Sequence, residues 1–189
     1  MLLDHTERHP VRLWHLWARC FNGVVMAKLG DLAGGLEALR SGLEQAGEAR
    51  FLPRFLLLLG ELAACLGEAG EVGEGIATVD EMLARCRTRD EGWYVAELLR
   101  IKGELILKAG GLVAAAKAEE QFLSSLDWAR RQDALSWELR SAASLAQLRR
   151  DQGRAEEARD LLAGVYGRFT EGFETADLRA ARQILATLA

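Results

Sequence analysis

The chain has 189 residues, half of them apolar, a net charge of −4 and a pI near 5.5, so its overall field draws in neither nucleic acid nor an anionic membrane surface. Cys20, Cys65 and Cys86 lack paired spacing and their odd number makes a poor disulfide framework, which points to a reducing, cytoplasmic setting. Residues 1–12 lack the pattern of a secretory signal, and the most apolar run, residues 55–59, is too short to cross a bilayer.

Ala and Leu dominate, β-branched residues are few, and Pro10 and Pro53 are the only prolines, a mixture that favours helix over strand. In chain order, helical periodicity runs through residues 11–29 and about 32–45, then 53–69 and 73–87, then 92–109 and 113–131, then 135–152 and 155–169. In residues 92–109, Val95, Leu98, Leu99, Ile101, Leu105, Ile106 and Ala109 recur at steps of three and four, which makes one side apolar. Pro53 suits a first helical turn, and Thr88 with Glu91 reads as a capping box. A last amphipathic segment, about 175–188, places Leu178, Ala181, Ile184, Leu185 and Leu188 together and has no partner helix after it, as a cap over the end of a helical stack requires.

The pairs are joined by a regular beat. Gly30, Gly70, Gly110 and Gly153 stand at intervals of 40, 40 and 43 residues, each closing the first helix of a pair. Repetition at such a period marks a helical solenoid. Seven residues before these glycines stand Gly23, Ala63, Gly103 and Ala146, and five residues after them Gly35, Gly75, Ala115 and Ala158. Small residues in both rows allow two helices to approach closely, with Ala118 an alternative to Ala115 in the third pair. Sixteen residues before come Trp14, Arg54, Tyr94 and Trp137, a largely aromatic row expected to fill the space between successive repeats.

These rows resemble the tetratricopeptide repeat (TPR), lengthened from 34 residues to about 40, with residues 145–158 closest to its pattern. The expected fold is all-α, a right-handed superhelix (α-solenoid) of about four TPR-like hairpins plus a C-terminal capping helix. It forms a single domain over residues 1–189, with repeats at about 11–46, 53–88, 92–132 and 134–169 and the cap at about 175–188. Residues 93–107, 134–154 and 165–182 further resemble the C-terminal repeat region of large bacterial signalling ATPases linked to winged-helix or cyclase domains. That resemblance implies a sensor or interaction segment of a regulator, without the ATPase, cyclase or DNA-binding motifs themselves.

No constellation points to catalysis. His5, His9 and His15 have metal-ligand chemistry, but Pro10 interrupts them and no Cys or carboxylate completes a set, so no metal site is assigned. The run Gly67, Gly70, Gly73 and Gly75 lacks the Lys-Ser or Lys-Thr and the preceding strand of a phosphate loop. No cofactor is expected, and the chain reads as non-enzymatic. The inner wall of a repeat superhelix is lined by the first helix of each pair, which singles out Trp17 and Leu57 as an apolar shelf and Glu97, Arg100, Glu104, Arg140, Gln147 and Arg150 as a charged stretch. Arg100, Arg140 and Arg150 would offer forked donors to the acidic side chains or terminal carboxylate of an extended peptide. Alternatively, Glu97 with Arg100, or Glu104 with Arg140, satisfy one another. The expected partner is a protein or peptide; the other reading is self-association through the apolar first repeat, with Trp14, Trp17, Val24 and Val25 covered by a second copy, or ligand sensing within a larger ATPase regulator.

Overall fold

A computed structural model of the chain describes residues 11–188. Among the described residues there are nine α-helices, one 3₁₀ turn and no strand, the all-α arrangement of paired helices that the glycine beat anticipates. The described residues form two compact units, 11–89 and 90–188.

In the first unit, α1 (Arg12–Lys28) pairs with α2 (Leu32–Ala46), and after a 3₁₀ turn (Gly47–Phe51), α3 (Pro53–Glu68) pairs with α4 (Val72–Arg89). Both hairpin turns follow from chirality. Gly30 and Gly70 hold φ of 103° and 84°, a region costly to residues with a Cβ. The amides of Asp31 and Glu71 then reach back to the carbonyls of Met26 and Leu66 at 3.0 and 2.8 Å, satisfying the end of the preceding helix. Asp31 next caps α2, its carboxylate accepting from the Gly34 amide at 2.9 Å. Pro53 occupies the start of α3.

The small residues lie where the helices touch. A Cβ on Gly23 would sit 2.8 Å from the Gly35 carbonyl oxygen, and one on Gly35 would sit 2.6 Å from that of Gly23. Ala63 is fully buried and Gly75 is buried in the second hairpin. Leu39, Phe51, Phe55, Leu58, Leu66, Val79 and Met82 fill the core of this unit. The three cysteines are free and buried.

The second unit contains α5 (Val95–Ala109), α6 (Ala114–Arg131), α7 (Leu135–Asp151), α8 (Ala155–Tyr166) and α9 (Ala176–Thr187). Helix α5 packs on α6, α7 on α8, and α9 lies against α7 and α8 with Leu178, Ala181, Ile184 and Leu188 buried. Here Gly103 sits under Phe122, whose ring would be 2.4 Å from an added Cβ. Ala118 is fully buried in this pair, whereas Ala115 is only partly so. Asp133, at φ 50°, fills the left-handed turn position between α6 and α7, and the Ala134 amide then bonds to the Ala129 carbonyl at 2.9 Å.

Two local expectations are corrected. Thr88 is not the cap of a following helix: it lies in the last turn of α4, its hydroxyl donating to the carbonyls of Ala84 and Arg85 at 3.1 and 2.9 Å. Asp90, at φ 54°, turns the chain out of α4, so Glu91 stands outside any helix. The aromatic row also divides. Tyr94 is buried and meets Trp137 edge-on at 5.7 Å between α5 and α7, whereas Trp14 is half exposed.

No helix among the described residues is long and apolar enough to cross a membrane. His5 and His9 lie outside the described residues; His15 is partly buried on α1, and no group of three potential metal ligands occurs among the described residues.

Candidate functional site

The charged positions singled out in the sequence converge in the second unit. Glu97, in the first turn of α5, is almost fully buried. Helical spacing puts Arg100 one turn and Glu104 two turns further along the same face. Arg100 grips Glu97 with both arms, Nε donating to Oε2 at 2.9 Å and Nη2 to Oε1 at 2.7 Å, and Nη1 donates to Glu104. Helix α7 contributes Arg140, whose Nη2 lies 2.8 Å from the same Glu97 Oε1, and Ser144, whose hydroxyl donates to Glu104 Oε1 at 2.9 Å.

Burial opposes the Arg100 charge, but the bonds and fields of Glu97 and Glu104 more than offset it and hold the guanidinium even further above its ordinary pKa. A guanidinium so engaged is a structural strut. Of the two internal pairings that the sequence suggests, Glu97 with Arg100 is present, and Arg140 turns to Glu97 rather than to Glu104.

Arg140 differs from Arg100 in retaining access to solvent. Its side chain is 31% exposed, with Nε 4.0 Å from Asp177 Oδ1 on α9 and the guanidinium 5.5 Å from the centre of the Trp137 ring. Between α7 and α9 it borders a shallow cleft of about 190 Å³, whose lining includes Arg100, Ala143, Ser144, Gln147, Asp177 and Ile184. Small residues at Ala143, Ser144 and Ala180 open this space, Ile184 gives it an apolar wall, and Gln147 stands exposed at its rim. Arg150 is not part of the lining; it bonds to Asp151 at 2.9 Å and reaches Thr187 Oγ1 at 3.4 Å at the end of α9.

Trp17 and Leu57 belong to the first unit, and both are half buried. Trp17 donates from Nε1 to the Arg54 carbonyl at 3.0 Å, stacks on Phe21 at 5.4 Å and meets Trp14 edge-on at 6.2 Å.

Sequence reasoning missed Ser144 and Asp177, which enter the cleft from positions 44 and 77 residues along the chain from Arg100 with no local signature. It also missed Glu138, a second buried carboxylate, which accepts from Arg130 Nε at 2.8 Å and from Arg168 in the segment before α9. Ser125 and Ser141 form a further buried link at 2.6 Å, with Ser125 also bonded to the Ala96 carbonyl at 2.6 Å.

The fold so described is that of TPR-like repeat proteins. The chain superposes on a crystal structure of nearly identical TPR-like repeats from a Podosopora anserina protein assigned as a kinesin light chain, with a TM-score of 0.65 and 16% identity over 90% of this chain and 83% of that one. A single-substitution variant of the same protein matches equally well. No family model matches the sequence, and no curated protein matches it.

Proposed function

We propose that the chain is a non-enzymatic protein-interaction module that holds an extended peptide of its partner in the cleft between α7 and α9. The carrying observation is Arg140, a guanidinium anchored on one side by Glu97 and exposed on the other at the mouth of a cleft with an apolar wall. An apolar side chain of the peptide enters beside Ile184, an acidic side chain or terminal carboxylate pairs with Arg140, and Gln147 bonds to the peptide backbone. Arg100 supports this contact by fixing Glu97. The TPR-like repeats support the reading because such scaffolds present helix faces rather than reactive groups. The regulatory setting, a cytoplasmic segment of bacterial signalling or transcriptional control, rests on the resemblance of residues 93–107, 134–154 and 165–182 to the repeat regions of signalling ATPases.

The test is an array of short peptides, with and without acidic residues, probed with the intact chain and with the Arg140→Ala and Gln147→Arg variants, all checked by circular dichroism. Acidic peptides should be retained, and loss of the Arg140 contact should weaken their binding by about tenfold or more. Equal retention by folded variants, or no preference for acidic peptides, would defeat the reading.

A further inference from the structure

A second cavity lies in the first unit. It is a trough of about 260 Å³ flanked by α2 and α4, with Leu43 of α2 and Leu59 and Leu62 of α3 as its floor. Helical spacing sets its walls: Arg40 and Glu44 stand one turn apart on α2, and Glu74, Thr78 and Glu81 follow at steps of four and three on α4. Ion pairs close both ends. Arg40 reaches across to Glu74 at 2.8 Å, and Arg85, one turn beyond Glu81, holds Glu81 at 3.1 Å and Glu48 of the 3₁₀ turn at 3.4 Å. The closed ends leave no passage for an extended chain, and the volume falls below the roughly 300–1,000 Å³ of sites for drug-sized ligands.

Two opposite charges in this trough are unspent. Among the described residues, Glu44 and Arg50 take part in no ion pair. Arg50 is held by a different force: its guanidinium lies over the ring of the buried Phe51, 4.8 Å from the centre. Stacking engages the flat face of a guanidinium and leaves the N–H donors at its edge free. On the α4 wall, the Thr78 hydroxyl donates to the Glu74 carbonyl at 2.9 Å, so its oxygen can still accept. The lining therefore accepts from a cation through Glu44, Glu81 and Thr78, donates to an anion through Arg50, and offers an apolar floor.

We propose that the trough is a site for a free α-amino acid with a short apolar side chain. The ligand's ammonium bonds to Glu44, Glu81 and the Thr78 oxygen, its carboxylate pairs with the edge of Arg50, and its side chain lies on the three leucines. An interior residue of a peptide brings neither charge, and a lysine or glutamate side chain brings only one. A pair of unspent opposite charges over an apolar floor thus selects the free amino acid. Glu44 is exposed to solvent, which implies weak, reversible binding with a Kd of about 1 mM. The site uses the first unit only, whereas the peptide reading uses the second, so either can fail without the other.

Two-dimensional amide NMR of the intact, isotope-labelled chain, titrated with L-leucine, tests it. Resonances of α2, the 3₁₀ turn and α4 should shift and saturate by about 10 mM. L-leucinamide, which lacks the carboxylate, and N-acetyl-L-leucine, which lacks the ammonium, should each bind at least about tenfold more weakly. The Glu44→Gln and Arg50→Gln variants, checked by circular dichroism, should lose leucine affinity to a similar degree. Absence of saturable shifts, shifts confined to α7 and α9, undiminished binding of either leucine derivative, or undiminished leucine binding by the folded variants would overturn the proposal. Retention of leucinamide alone would show a site for a cation rather than for an amino acid.

Discussion

Glu97 holds both Arg100 and Arg140 of the second unit, and its removal has a sign that burial decides. Without it, Arg100 keeps its place among buried groups with Glu104 and Ser144 alone, and Arg140 loses its anchor. Breaking a buried pair from one side is strongly destabilising, so Glu97→Ala should lower the unfolding free energy by about 3 kcal/mol in urea titration. Arg140→Ala, which leaves Glu97 held by Arg100, should cost only about 1 kcal/mol. Equal losses would mean that Arg100 is not the principal partner. A second network predicts pH dependence. Partial burial pushes the Glu119 carboxyl up, but bonds from Arg154 and Arg149 outweigh this and hold it below the usual carboxylate range. Its contribution to stability is therefore complete above about pH 4.5 and is lost as pH falls toward the lower folded value. In acid titration, Glu119→Gln should remove part of the stability loss below that pH. The Glu97, Arg100, Glu104 alignment was legible because helical spacing creates it. The Arg140 and Ser144 contacts were not, since they depend on how α7 lies against α5.

At the scale of the helical element, the same substitution should act with opposite signs in two helices. Gly103→Ala drives a methyl into the Phe122 ring and should destabilise by about 1–3 kcal/mol. Gly164→Ala, in α8, meets nothing within 4 Å and should stabilise by up to about 1 kcal/mol through helix propensity. Thermal denaturation of the two variants checks both; a loss in each would mean that α8 is constrained by something other than its backbone. Rows of glycine and alanine revealed the close contacts because few other residues fit there. The exact start of α5 was hidden, since Thr88 satisfies its hydroxyl within α4 and the left-handed turn at Asp90 uses a residue that carries no glycine signal. The cap at Asp31 was readable from an aspartate directly after a turn glycine, three residues before the amide it accepts from.

At the scale of the molecule, repetition made the fold class legible: a turn glycine, a small residue before it and another after it can recur only if the same packing recurs. The glycine interval runs unchanged across residue 89, where the chain divides into its two compact units. The second unit has its own continuous core, from Phe122 on α6 to Leu188 after α9. Residues 90–189 alone should therefore give a helical circular dichroism spectrum and a cooperative melt. A featureless coil spectrum from this fragment would contradict the independence of its core. The cleft was only half legible: periodicity describes what is common to the repeats, and Asp177 and Ile184 belong to the terminal helix that breaks the pattern.

The cysteines give the two halves unequal visibility. Cys20, Cys65 and Cys86 all lie in the first unit, and the second contains none. Burial pushes the Cys20 thiol up to about 11 and raises that of Cys65 as well, so neither offers much thiolate near neutral pH while folded. A thiol reagent applied to the intact chain thus acts as a natural clock for one half only. Its rate measures how often residues 1–89 open, while any event confined to residues 90–189 passes unseen.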